Sequence, residues 1–151
     1  MQKVQVKVWT SFNHTDGLPK YETEHAAGMD VRANEDVMLR PKETKLIPTG
    51  IFMAIPQGYE VQVRPRSGLS LKTKFRIANA PGTIDADYRG ELCIIGENTN
   101  GESEMRISKG ERIGQIVIAP VYQIVWDTVL SKDHLGNTAR GEGGFGSTGT
   151  K

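Results

Sequence analysis

The sequence is poor in features that several protein classes require. Its 151 residues contain a single cysteine, Cys93, so no intramolecular disulfide can form. The 19 Lys and Arg residues nearly balance 18 Asp and Glu residues, which leaves a formal net charge of +1. That balance lacks the strongly basic field that non-specific nucleic-acid binding needs. No apolar run is long enough to cross a membrane. We therefore expect neither nucleic acid nor a membrane as a partner.

The N-terminal segment lacks the continuous apolar core of a signal peptide. From Met1 to Val8, polar and apolar residues alternate, which predicts a β-strand. An intracellular, cytoplasmic location is the resulting expectation. Cys93 lies in the apolar run 92–95, where we expect its thiol to pack as a small core hydrophobe. The three histidines are dispersed and lack metal-ligand spacing.

Helical periodicity is almost absent from the chain, whereas short apolar runs and period-two alternation recur. Val4, Val6 and Val8 alternate with polar residues, and Gly- and Pro-containing turns separate the apolar runs. This pattern predicts an all-β sandwich or barrel that forms one domain. One short helix is expected, which Ser67 caps and which runs towards Lys74.

The C-terminal segment differs in kind from the rest. Residues 136–151 are rich in Gly, Ser and Thr and have too few apolar side chains to fold on themselves. We therefore divide the chain into a core, 1–135, and an arm, 136–151. Within the arm, 141–146 formally match the dinucleotide-binding pattern G-x-G-x-x-G, but no helix can follow them. The arm is either a disordered tail or a polyphosphate-binding segment in which Phe145 stacks on a base.

Two internal segments carry groups that suit an anion or a hydrolytic reaction. Arg64 and Arg66 flank Pro65 next to the expected helix N-terminus, which is either an anion site or an ordinary charged turn. Asp85 and Asp87 are two residues apart and are expected on the same face of a strand. Such a pair either binds a cation or activates water, or it is a solvated acidic turn.

Asp30 and Gln115 are weaker candidates. Asp30 lies between small and apolar residues, where it either touches a metal-bound water or makes local hydrogen bonds at a strand edge. Gln115 opens an apolar run and either reaches a ligand or is satisfied by the backbone.

The order of these segments is more specific than any one of them. Residues 27–30 (Ala-Gly-Met-Asp), 66–69 (Arg-Ser-Gly-Leu), 82–91 (Gly-Thr-Ile-Asp-Ala-Asp-Tyr-Arg-Gly-Glu), 112–115 (Arg-Ile-Gly-Gln) and 140–149 (Arg-Gly-Glu-Gly-Gly-Phe-Gly-Ser-Thr-Gly) follow one another. Together they resemble the five motifs of the trimeric dUTPase family. The resemblance runs from about Ala27 to Gly149, and the third and fifth motifs are the specific ones.

The resemblance implies a role for each matching residue. Asp85 is similar to the carboxylate that deprotonates the attacking water, and Tyr88 to the aromatic that excludes a 2′-hydroxyl. Asn79, with the main chain near Thr83 and Ile84, is similar to the hairpin that binds uracil. The implied phosphate contacts are Arg66, Ser67, Gly68 and Gln115. The implied closing arm comprises Arg140, Phe145, Gly146, Ser147 and Thr148, with Phe145 on the uracil. Asp30 is implied only through a metal-bound water.

The family further implies a distorted jelly roll, a homotrimer with C-terminal arm exchange, and Mg²⁺ bound mainly by the substrate triphosphate. The implied reaction converts dUTP to dUMP and pyrophosphate, which limits uracil incorporation into DNA and supplies dUMP for dTMP synthesis. Met29 and Thr83 depart from the family pattern and affect only the expected pocket packing. A dCTP deaminase, a bifunctional deaminase–diphosphatase and a non-catalytic nucleotide sensor are the alternatives on this fold.

Overall fold

The computed structural model describes residues 2–12, 17–145 and 147. Among these residues lie ten strands, one α-helix and one short 3-10 helix, Lys132–Leu135. The helix α1 spans Ser67–Lys72. The strands are β1 (Lys7–Thr10), β2 (Met29–Arg32), β3 (Val37–Leu39), β4 (Thr44–Ala54), β5 (Tyr59–Arg64), β6 (Phe75–Ile77), β7 (Gly82–Ile84), β8 (Glu91–Asn98), β9 (Met105–Ile107) and β10 (Arg112–Pro120).

The strands form two four-stranded sheets and one smaller pair, all antiparallel. One sheet has the order β1-β4-β8-β6, the other the order β2-β10-β5-β7, and β3 pairs with β9. The prediction of an all-β, jelly-roll type of sandwich with one short helix is therefore confirmed. One detail of the sequence prediction was wrong, because the N-terminal strand begins only at Lys7. The helix α1 runs towards Lys74 as expected and ends at Lys72.

The core lies between the two four-stranded sheets and is built by alternation along each strand. On β8, Leu92, Ile94 and Asn98 are buried, whereas Cys93 and Ile95 between them are only half-buried. Successive side chains of a strand point to opposite faces, so one set faces the core and the other faces outward. The other buried apolar residues come from both sheets and include Val31, Ile47, Val61, Val63, Phe75, Ile77, Ile113 and Ile116.

A bulge in β4 ties this strand to the start of β8. Pairing with β8 shifts between Pro48 and Ile51, and Gly50 adopts a positive φ of 71°. The Gly50 N–H donates to Glu91 Oε1 (2.6 Å), and Thr49 Oγ1 donates to the Leu92 carbonyl (2.5 Å). Since a bulge leaves backbone groups unpaired, these two bonds satisfy it and fix the position of Glu91.

Asn98, which is fully buried, is expected to be a major determinant of stability. Its Nδ2 donates to the carbonyls of Leu39, Arg40 and Ser103, and its Oδ1 accepts the Asn100 N–H. Asn98→Ala leaves the buried Leu39 carbonyl without its partner and removes three part-buried bonds, so it should lower the free energy of unfolding by about 3 kcal/mol. Chemical denaturation at fixed protein concentration measures the loss. Asn100→Ala, which changes a more exposed loop, should cost about 1 kcal/mol or less. Equal losses for both variants would contradict the assignment.

The packed strands end at Pro120, and the next residue still donates its N–H to the Gly58 carbonyl (2.9 Å). Side chains from Val121 to Leu135 are exposed, and Tyr122, Val125 and Leu130 are more than nine-tenths exposed. The division of the chain at residue 135 stays a prediction. Among the described residues, no helix combines the length and the apolar character that crossing a bilayer would require.

Candidate active site

A cavity of about 250 Å³ lies beside the loop that joins β6 to β7. The expected hairpin was wrong, because β6 pairs with β8 in one sheet and β7 pairs with β5 in the other. Asn79, in the connecting loop, lines the cavity together with Thr83 and Ile84 on β7. The Asn79 amide lies against Gly82, where an added Cβ would come within 3.1 Å of its Nδ2. Three residues that the sequence assigned to one hairpin therefore share one cavity. Exposed amide groups and strand backbone at its wall suit a flat, polar-edged ligand such as a nucleobase.

Asp85 lies where this cavity meets a second one. The second cavity, of about 840 Å³, is lined by Asp85, Asp87, Arg89, Glu60 and Tyr122 among others. Asp85 lines both cavities, whereas Asp87 lines only the larger one. The expectation that both carboxylates share one strand face was wrong, because β7 ends at Ile84. The chain then turns, and the Tyr88 N–H donates to the Asp85 carbonyl (3.2 Å). Both residues line the larger cavity, and only Asp85 also lines the smaller one.

Tyr88 closes one side of the smaller cavity. Its hydroxyl donates to the Glu91 carbonyl (3.1 Å), and Gly90 lies directly beside its ring. An added Cβ at Gly90 would overlap the Tyr88 hydroxyl and lie 2.5 Å from Cζ. The glycine is therefore needed for the ring to lie where it does. Glu91, whose carboxylate binds the β4 bulge, lines the same cavity and anchors the turn to the sheet.

Cys93 does not pack in the core, and that prediction was wrong. The thiol lies on the outer face of β8 and lines the smaller cavity with Leu46 and Ile95. Leu92 and Ile94 take the two core-facing positions, which leaves Cys93 on the opposite side. Partial burial, and then the negative charge of Glu91, raise the pKa of the Cys93 thiol above its ordinary value.

A second cluster joins the loop before α1 to β2 and β10. Arg66 Nε donates to Asp30 Oδ1 (2.9 Å), and Arg112 Nη1 donates to Asp30 Oδ2 (3.2 Å). Gln115 Nε2 donates to the Pro65 carbonyl (2.8 Å). The interpretation of Asp30 as making local bonds was wrong, because its partners are 36 and 82 residues away in sequence. The cluster holds the Arg-Pro-Arg turn against two strands.

Ser67 and Gly68 form the first turn of α1. The helix has Arg66 as its N-cap and no side-chain capping bond, so Ser67 is its first residue and not its cap. That detail of the prediction was wrong. The first backbone N–H groups of a helix have no acceptor within it, so the amides of Ser67 and Gly68 are open to a ligand. Neither cavity described above is lined by Arg66, Ser67, Gly68 or Gln115.

The C-terminal arm stands apart from both clusters. Arg140 Nε donates to the Gly143 carbonyl (2.7 Å), the Ser147 N–H donates to the Gly144 carbonyl (3.0 Å), and Phe145 is fully exposed at a positive φ of 50°. Gly146 and Thr148 lie outside the described residues. In a single chain the structure thus brings Asn79, Thr83, Ile84, Asp85 and Tyr88 together. It does not bring Arg66, Gln115 or the described residues of the arm to them.

Three residues near these clusters were missed by the sequence argument. Arg112 holds Asp30, Glu91 holds the β4 bulge, and Cys93 lines the cavity. Arg112 and Glu91 each stand at the end of a recognised motif, which was an available signal. Cys93 had none, since neighbours on both sides of it are apolar.

Carboxylates near the two clusters are few and separate. In the part of the chain that the structure describes, no three His, Cys, Asp or Glu side chains converge as metal ligands do. Asp30 is engaged by two arginines, and Asp85 and Asp87 are exposed. This donor set fits Mg²⁺, which commonly keeps several waters and binds one or two carboxylates together with substrate phosphates.

The chain is similar over its whole length to a set of known proteins. The family model described as dUTPase matches residues 16–149. Deoxyuridine 5'-triphosphate nucleotidohydrolase of Maricaulis maris is 49% identical over all of both chains. The protein of the same name from Fusobacterium nucleatum is 52% identical over 99% of each chain.

Solved structures of phage proteins have the same fold. A mutant dUTPase of Staphylococcus bacteriophage 80alpha with dUpNHpp superposes with a TM-score of 0.83 at 30% identity, covering 97% of this chain and 99% of that one. A mutant dUTPase from phage phi11 of S. aureus, described with a structural Mg(II) ion, superposes with a TM-score of 0.75 at 25% identity. It covers 86% of this chain and 99% of that one.

Proposed function

The chain belongs to the dUTPase family, and from that premise we propose that it hydrolyses dUTP to dUMP and pyrophosphate with Asp85 as the general base. The observation that carries the assignment is the position of Asp85. Its carboxylate lies between a cavity of nucleoside type and a larger open one. If the nucleobase binds in the smaller cavity and the phosphate chain extends into the larger one, the α-phosphorus lies beside Asp85.

The groups around the smaller cavity suit deoxyuridine. Asn79 and the β7 backbone offer hydrogen-bonding groups for the uracil edge, and the Tyr88 ring takes the place below the sugar. A site built to bond one edge rejects a base with the wrong edge strongly, because its own polar groups are then left unpaired. Cytosine is excluded because it leaves these polar groups unpaired. A ribose 2′-hydroxyl is excluded because the tyrosine ring occupies its space.

The reaction itself requires alignment and charge neutralisation more than covalent chemistry by the protein. Asp85 takes a proton from a water molecule while the oxygen of that water forms a bond to the α-phosphorus. The bond from that phosphorus to the bridging oxygen breaks, and pyrophosphate leaves with the electron pair. Arg66 and the open amides of Ser67 and Gly68 neutralise charge on the phosphates, with Gln115 beside them. Asp30 would contact a Mg²⁺ bound to the triphosphate only through water, and the metal, when bound, would supply further charge neutralisation.

The remaining groups come from other copies of the chain, in a homotrimer with shared sites. Arg66 and Gln115 do not reach Asp85 within one chain, and the arm stands free of it. Tyr122, Val125, Trp126 and Leu130 expose large apolar surfaces on the segment that leads to the arm. Exposed apolar groups of this extent mark an interface. Arg140, Phe145, Gly146, Ser147 and Thr148 would then close the site of a neighbour, with Phe145 on the uracil.

Gly90→Ala should weaken the discrimination between dUTP and UTP. The added methyl displaces the Tyr88 ring, which opens room for a 2′-hydroxyl. The ratio of kcat/KM for dUTP over UTP is expected to fall by about tenfold. Tyr88→Phe, which keeps the ring and loses only its hydroxyl, is the matched control and should retain the ratio. If Gly90→Ala leaves the ratio unchanged, Tyr88 does not exclude the 2′-hydroxyl.

Pyrophosphate release from dUTP, dTTP, dCTP and UTP, measured in parallel with Mg²⁺, tests the proposed function. Release from dUTP alone is the expected result. Ammonia from dCTP would instead indicate a deaminase, and binding without any release would indicate a nucleotide sensor. Either result would overturn the proposal. The mass of the protein in solution tests the shared site, since a monomer that turns over dUTP would exclude it.

A further inference from the structure

One carboxylate holds two arginines from different parts of the chain. Asp30 lies on the edge strand β2, Arg112 begins β10, and Arg66 precedes α1. Each Asp30 oxygen accepts from one guanidinium, at 2.9 Å from Arg66 Nε and 3.2 Å from Arg112 Nη1. Arg66 Nη1 also donates to the Arg112 carbonyl (3.3 Å). The three residues form one connected unit, which we call the Asp30 clamp.

The clamp leaves one edge of Arg66 available. Two of its three guanidinium nitrogens, Nε and Nη1, have acceptors, whereas Nη2 has none among the residues that the structure describes. Two guanidiniums against one carboxylate leave a net charge of +1 on the clamp. A guanidinium fixed on two nitrogens loses little further freedom when the third binds an anion.

The backbone of the same turn is held as well. Gln115 pairs with Asp30 across β10 and β2, and its Nε2 donates to the Pro65 carbonyl next to Arg66. Gly28 lies against the Gln115 amide and leaves no room for a side chain. Side chain and main chain of the turn are therefore both oriented from the two strands.

Resting on the proposed function above, we propose that Asp30 and Arg112 are positioning residues that aim Arg66 Nη2 at a substrate phosphate. Asp30 thus acts through Arg66, and its effect on triphosphate binding does not require a metal. Arg112 is an essential member of the Asp30 clamp, because without it Asp30 Oδ2 loses its partner.

Burial separates this unit from an ordinary surface ion pair, which contributes little. The side chains of Arg66, Asp30 and Arg112 are 25%, 22% and 42% exposed, whereas those of the ion pair Arg106–Asp36 are 64% and 58% exposed. Arg106 lies on β9, outside the site. Arg106→Gln therefore makes the same chemical change as Arg112→Gln and breaks a salt bridge that has no proposed role.

The test measures binding of dUpNHpp, a triphosphate analogue, and of deoxyuridine, which has no phosphate. Calorimetric titrations of the full chain are done in Mg²⁺ and again in EDTA. Arg112→Gln and Asp30→Asn should each weaken dUpNHpp binding about tenfold in both conditions. Deoxyuridine binding should stay unchanged, as should both affinities of Arg106→Gln. Arg112→Lys keeps the charge and one donor, so it should retain most of the affinity.

A double-mutant cycle provides the second measurement. If Asp30 acts through Arg66, Asp30→Asn should weaken dUpNHpp binding no further once Arg66→Ala is present. Additive losses would overturn the proposal. A loss seen in Mg²⁺ and absent in EDTA would also overturn it, because Asp30 would then act through the metal. Equal weakening of deoxyuridine would show a general structural defect instead. Failure of the unaltered chain to bind dUpNHpp or to release pyrophosphate would reject the proposed function itself.

Discussion

Replacing Asp85 by Asn is expected to lower kcat for dUTP hydrolysis by about 10²–10⁴-fold, the usual contribution of a general base. An amide keeps the shape of the side chain and cannot accept the proton of the attacking water. Affinity for dUpNHpp should stay within about threefold of the original, because the carboxylate acts on the water and not on the base or phosphates. Steady-state kinetics and calorimetry on the same preparation separate the two effects.

The matched control is Asp87→Asn, two residues further along the same turn. Asp87 lines only the larger cavity, whereas Asp85 lines both cavities. Its replacement makes the same charge change at nearly the same place, so long-range electrostatics are controlled for. Turnover within about threefold of the original is expected for it. Loss of turnover in Asp87→Asn with activity retained in Asp85→Asn would show that the base had been assigned to the wrong carboxylate.

Two inactive variants are expected to restore activity when they are combined in one trimer. One is Asp85→Asn with its arm intact, and the other keeps Asp85 but ends at Leu135. If the arm closes the site of a neighbour, a mixed trimer contains sites with Asp85 from one chain and the arm from another. In every trimer that contains both variants, about a third of the sites should be complete. Co-expression with two affinity tags isolates the mixed trimers, and pyrophosphate release measures them.

Recovery of activity in mixed trimers depends on which chain supplies the arm to each site. It does not depend on how strongly the arm contributes to catalysis. Each variant alone should retain about a hundredth of the activity or less, since closure excludes water and completes the site. If each arm closed the site of its own chain, no site in these mixtures would contain both an arm and an intact Asp85, because neither variant carries both. Mixed trimers without recovered activity would therefore exclude arm exchange.

Much of the fold was predictable from local features. Gly58 and Gly110 adopt the positive φ that glycine favours, and each separates two strands. Gly50 also has a positive φ, but the turn expected there is a bulge within the single strand β4. Alternation in 59–63 corresponds to β5, where Val61 and Val63 are buried. The position of α1 was predicted to within two residues at its end, although its cap was not.

The orientation of side chains in continuous apolar runs was not predictable. Leu92, Cys93, Ile94 and Ile95 are all apolar, so alternation cannot be recognised in the sequence alone. Pairing of β8 with β4 and β6 set which of them face the core, and Cys93 fell on the cavity side. The turn at Asp85 escaped prediction for a related reason, because β7 ends one residue before it.

The sequence by itself determined the all-β class and the family, and it named the residues that we propose carry the chemistry, because turn residues and ordered motifs are local properties of a chain. Tertiary structure alone decided that Asp85 borders two cavities, that Asp30 holds Arg66 and Arg112, and that the side chains of residues 121–135 stay exposed. These features join residues up to 82 positions apart. Such contacts follow from how the strands pair and which face each presents to the core, and no local pattern contains that information.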